Sequence, residues 1–187
     1  MSLHINFKLG QSDLEYFGKV MQRARENAKD KSQQEIVESA TQLLDQVSKS
    51  DATEFIRTHM QQLKTLIGMI GDTGWGLIED DRERVLAALS YFAEPEDIIP
   101  DDTPGLGFLD DAIMIEIVCK ELEHEIQAYT EFVVFRKTEA GRRGKDEPAM
   151  QKSDWLEERR QQLHTRMRRR RKGHTAGNKT KSPFSLF

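Results

Sequence analysis

Residues 85–119 read VLAALSYFAEPEDIIPDDTPGLGFLDDAIMIEIVC. An apolar run ends at Pro95, and a second begins after Asp110 and Asp111. Between them lie three of the chain's five prolines, and the whole stretch carries eight carboxylates with no Lys or Arg. Pro95 forces its preceding residue out of helical geometry, so the first run must stop there. The second run is apolar nearly all round, from Ala112 to Cys119, which marks a centrally buried helix. Two helices joined by a stiff acidic turn are therefore expected, and they set the fold class as all-α.

Working toward the N-terminus, the first of these helices spans roughly Ile78 to Ala93, with Val85, Leu86, Leu89 and Phe92 at three- and four-residue intervals. Before it, Gly71-Asp72-Thr73-Gly74-Trp75-Gly76 marks a turn by its three glycines. Three earlier helices are signalled by an N-cap oxygen three residues before a carboxylate, in the pairs Ser12–Glu15, Ser32–Glu35 and Asp51–Glu54. Each is followed by apolar residues on one face: Leu14, Phe17 and Met21; Ile36, Ala40 and Val47; Ile56, Leu63 and Ile70. Leu3, Ile5, Phe7 and Leu9 alternate with polar residues, the mark of an extended arm.

Toward the C-terminus, the fifth helix runs from near Asp110 as far as Ala140. At 1.5 Å per residue that is about 45 Å. Gly141 to Pro148 reads as a linker. A sixth helix starts at Asp154 and runs toward Lys172, with only Trp155, Leu156, Leu163 and Met167 to bury, too few for independent folding. The expected architecture is an antiparallel helical bundle of about five helices with a long fifth helix, plus a basic tail that is helical and then disordered. Its boundaries are an arm over 1–11, a bundle over 12–141, a linker over 142–152 and the tail over 153–187.

The net charge of −4 conceals a division. Residues 1–150 hold 29 acidic against 17 basic side chains, and residues 151–187 hold 3 against 11. Such a separation points to an interaction tail. A single cysteine, Cys119, forms no internal disulfide and suits a reducing compartment. No apolar run approaches the roughly 18–20 residues of a membrane span, and residues 1–13 lack the pattern of a signal peptide. A cytoplasmic protein is expected, with a peripheral position at the membrane open to it.

The turn has a wider resemblance. Tyr91, Pro95, Asp97, Ile99, Pro100 and Asp101, followed by Gly107, Asp110 and Asp111, match the signature of the YkvA-like family, domain of unknown function 1232, in residue type and spacing. The resemblance covers about residues 85–126. It implies a helical domain of bacterial type and carries no biochemical activity with it. Many members are more hydrophobic and are described as membrane-associated; this chain departs from them in its charged first three helices.

Two candidate sites follow. Asp97, Asp101, Asp110 and Asp111 flank one tight turn, and several converging carboxylate oxygens are what Mg²⁺ or Ca²⁺ requires. The same residues also suit a purely structural role, with Asp110 or Asp111 capping the fifth helix and Asp97 and Asp101 accepting turn amides. In the tail, Arg166, Arg168, Arg169, Arg170, Arg171 and Lys172 give six cations in seven residues, suited to phosphates. Their candidate targets are nucleic acid, an anionic membrane surface, an acidic protein or the chain's own acidic body. No aromatic side chains interleave with them for base stacking, so nucleic-acid binding would be non-specific. The function expected is a non-enzymatic interaction or adaptor module with a protein partner. The alternatives are a divalent-metal-dependent enzyme using the aspartates and a nucleic-acid-associated protein.

Overall fold

The computed structural model describes residues 8–94, 98–144 and 154–177. Most of the expected arm, Pro95 to Asp97, most of the expected linker and residues 178–187 lie outside them. The described residues form seven α-helices and no strand: α1 Gln11–Asn27, α2 Gln33–Lys49, α3 Glu54–Gly71, α4 Glu79–Leu89, α5 Leu109–Glu121, α6 Glu123–Arg143 and α7 Asp154–Gly177. Two short 3₁₀ turns, Ala28–Asp30 and Ser90–Ala93, extend α1 and α4.

The capping signals hold once and shift twice. Ser32 caps α2 with Glu35 reaching back to its amide at 2.6 Å. For α1, Asp13 takes the Gly10 amide at 2.7 Å, so the helix begins earlier than Ser12 would allow. For α3 the cap is the Thr53 hydroxyl rather than Asp51.

The core follows the apolar faces. Helix α3 packs against α2, α4, α5 and α6, and its Leu63, Leu66 and Met69 have no exposed surface. Helix α5 buries Ala112, Met114, Ile115, Ile117 and Val118, as its all-round apolar character requires. The 3₁₀ turn after α4 buries Tyr91, Phe92 and Ala93 against α1 and α2.

The expected single fifth helix is two helices. Leu122 leaves helical geometry at φ −102° and ψ 19°, and α6 begins at Glu123. The Leu122 side chain is wholly buried, so the break is fixed by packing. Beyond it, α6 changes character from all-round apolar to a stripe of Ala128, Tyr129, Phe132 and Ala140. That stripe receives α7, whose Leu156, Leu163 and Met167 are buried. The few apolar residues of α7 suffice because α6 supplies the other half of the interface.

Candidate functional site

The acidic turn is built by its backbone. Gly107 lies so close to the chain at Asp101 that a Cβ placed on it would fall 2.1 Å from the Asp101 carbonyl oxygen. Its amide donates to Thr103 O at 2.8 Å, which pins the approach. Gly105 takes φ +73°, a conformation glycine adopts without strain. The next positive φ falls on Phe108, at +64°, and not on Gly107. Phe108 is the N-cap of α5, and its buried ring holds it in a conformation uncommon for a side chain of that size.

Asp110 and Asp111 therefore occupy the first turn of α5 and are not its cap. The Asp110 carboxylate, 1% exposed, bends back over the turn. Its Oδ2 accepts from the Tyr91 hydroxyl at 3.2 Å, the Ile98 amide at 2.9 Å and the Ile99 amide at 3.1 Å. One carboxylate thus ties the end of the α4 segment to the turn and to α5. Asp111, also buried, faces elsewhere: with Asp101, Tyr91, Gln42, Gln46 and Lys31 it lines a pocket of about 380 Å³. The structure thus brings Asp101 and Asp111 to one pocket and commits Asp110 to the turn, while Asp97 lies outside the described residues. Among the described residues, no group of three or more His, Cys, Asp or Glu side chains is gathered as a metal site would need.

The basic helix is folded onto the acidic body. Arg171 places Nη1 2.7 Å from Asp81 Oδ1 and 2.8 Å from Glu125 Oε1, and Arg84 reaches the same Glu125 oxygen at 3.2 Å. Asp81 and Glu125 are 0% and 1% exposed. Burial works against the Arg171 charge, yet its hydrogen bonds and the charges of Asp81 and Glu125 outweigh this and hold the guanidinium above its ordinary value. Arg166 pairs with Glu131, and Arg170 donates to Gln127 at 2.7 Å. Arg168 donates to the carbonyl of His164 one turn back. Arg169, Arg170 and Lys172 are exposed.

At the middle of α7 the contact is aromatic. The His164 ring stacks on Trp75, with centroids 4.1 Å apart and planes 19° apart, and its Nε2 donates to the Trp75 carbonyl at 3.1 Å. Trp75 is held by the glycine-rich turn. The Asp72 carboxylate accepts from the Gly74 and Trp75 amides at 2.9 and 3.1 Å, from the Tyr129 hydroxyl at 3.2 Å and from Arg136 at 2.8 Å. Burial pushes the Tyr129 hydroxyl, with help from Asp72, up to about 12. Burial likewise raises the Cys119 thiol to about 12, consistent with the core thiol its apolar surroundings suggest.

The sequence had a signal for this second centre. Arg160, His164, Met167 and Arg171 fall at four-, three- and four-residue steps, hence on one helix face. Its receiving residues, Asp81 and Glu125, carried no such mark among many acidic neighbours.

Residues 84–117 match the family model described as "Protein of unknown function (DUF1232)". The segment carries that family's signature. It contains the turn and all of Tyr91, Asp101, Gly107, Asp110 and Asp111, and it excludes Asp81, Glu125 and α7. Compared with curated proteins and with solved structures, the chain has no match. Among the described residues, no helix is long and apolar enough to cross a membrane.

Proposed function

We propose that this protein is a non-enzymatic interaction module whose C-terminal helix, held on the body, offers a cationic outer surface to nucleic acid without regard to sequence. The observation that carries the reading is the two-sided character of α7. Leu163, His164 and Met167 are buried against the body while Arg169 and Arg170 stand exposed on the last described turns. A helix so held presents its charges at fixed spacing, which lowers the ordering cost of binding. The inward commitment of Arg171 and the pairing of Arg166 with Glu131 draw two of the six cations away from that surface.

Fluorescence anisotropy of the full chain with two unrelated duplexes tests this. About four neutralised phosphates give a log–log salt slope of about −3.5. The two duplexes should bind alike, and the double charge reversal R169E/R170E should abolish binding. Undetectable binding at low salt overturns the reading. Stronger binding to anionic vesicles than to duplexes at equal phosphate moves it to a membrane surface.

A further inference from the structure

We propose that His164 is a proton-operated release for α7: the neutral imidazole holds the helix on the body, and its protonation lets the helix go. The inference stands apart from whether α7 binds polyanions.

The geometry defines the neutral form. The ring is 5% exposed, lies flat on Trp75, and its Nε2 faces a carbonyl oxygen, which only an N–H can satisfy. The proton of the neutral ring is therefore on Nε2. Nδ1 is buried with no hydrogen-bond partner among the described residues. A second proton would have to enter there, as a buried N–H with no acceptor, in a ring newly charged.

The surrounding charges oppose it. On α7 itself, Arg160 and Arg168 flank the ring one turn to either side, and Arg171 lies two turns on. The anions near the site are engaged by other cations, although Asp81 Oδ2 is buried without a hydrogen-bond partner among the described residues. Asp81 of α4 and Glu125 of α6 pair with Arg171, Arg84 of α4 pairs with Glu125, Asp72 beside Trp75 pairs with Arg136, and Glu157 pairs with Arg160. Burial is the largest influence holding the imidazole below its ordinary value, with Arg168 and Arg160 acting in the same sense. The Trp75 carbonyl and Asp81 act against it. In the released helix the ring is in water and titrates near 6.5.

The sign follows from linkage. Above 6.5 both states hold the neutral ring and docking is unaffected. As pH falls below 6.5 the released state takes up the proton first, and the equilibrium moves toward release. The Asp and Glu side chains of an unfolded chain titrate near 4, so between pH 7.5 and 5.5 they contribute little.

Hydrogen exchange of the full chain, corrected for intrinsic pH dependence, reads the opening of α7 against that of α3. From pH 7.5 to 5.5 the relative opening of α7 should rise up to about tenfold, the limit for one linked proton. In H164Q and H164F the ratio should stay flat. A wild-type ratio unchanged over this range overturns the proposal, and so does a rise that persists in both variants. If neither variant folds, a histidine titration of the wild-type chain by NMR decides. One of the five imidazoles should stay neutral, protonated on Nε2, to a midpoint below 6.5. Five midpoints at or above 6.5 overturn the assignment.

Discussion

Arg171 and Asp81, ninety residues apart, meet at 2.7 Å, and the carboxylate has no exposed surface. The same guanidinium nitrogen also serves Glu125 on another helix. Removing it leaves two buried anions with Arg84 as their remaining cation among the described residues. R171A is expected to cost about 3 kcal/mol, the lower end for breaking a buried pair, since Arg171 keeps some contact with water. Urea melts check this. The double variant D81N/R171Q should lose less than the sum of its single variants, because the two residues share one interaction. Strict additivity would mean the pair is not coupled.

Asp110 is expected to matter to stability beyond its place in the first turn of α5. Its one oxygen gathers a hydroxyl and two amides from the turn. D110A should cost about 2–3 kcal/mol, because three donors lose a charged acceptor. Y91F, which removes one of the three, should cost about 1 kcal/mol. Thermal melts of the two variants would show whether the loss scales in this order.

Two glycines should respond in opposite directions to alanine. At Gly107 the new methyl group meets the Asp101 carbonyl, so the turn must open, at a cost of about 2 kcal/mol or more. At Gly141, inside α6, nothing lies within 4 Å of a built Cβ, and alanine should stabilise by about 0.5–1 kcal/mol. Chemical denaturation of G107A and G141A gives both signs in one experiment.

Asp72 should shape the acid limb of stability. Burial alone would raise its carboxyl, but the hydrogen bond and charge of Arg136, with the Trp75 amide and Tyr129, more than offset this and hold it below 3.8. Its contribution is therefore full above about 4 and lost as pH falls through the lowered folded value. D72N should be less stable at neutral pH and lose less on acidification to pH 2.5. At the alkaline end, phenolate absorbance should show Tyr129 titrating late, near 12, in a step that Y129F removes.

The positions of the helices were legible because each carries an apolar face of its own, and the acidic turn because prolines and glycines punctuate it. Three features were not. Leu122 looks like one more apolar residue in a continuous run, and only the change of partner between α5 and α6 shows that the chain must bend there. Gly105 takes a left-handed conformation open to any glycine, but a second one falls on Phe108, because the ring's burial fixes its backbone and Gly107 is needed for space. The direction of the arginines in α7 depends on which carboxylates lie beneath them. The chain's own acidic body was one of four targets the tail composition allowed. Periodicity gives the stripe of Arg160, His164, Met167 and Arg171 but cannot say what the stripe faces.

Arg171 and the two buried carboxylates also have a consequence for descent. Asp81 and Glu125 lie just beyond the two ends of the matched segment, and Arg171 lies far outside it. A relative that inherits the segment but has no counterpart of α7 would keep two anions in its interior, answered among the described residues by Arg84. Such a chain is expected to carry neutral or apolar residues at those two positions. Lineages that retain the last helix should keep all three charges, gaining or losing them together.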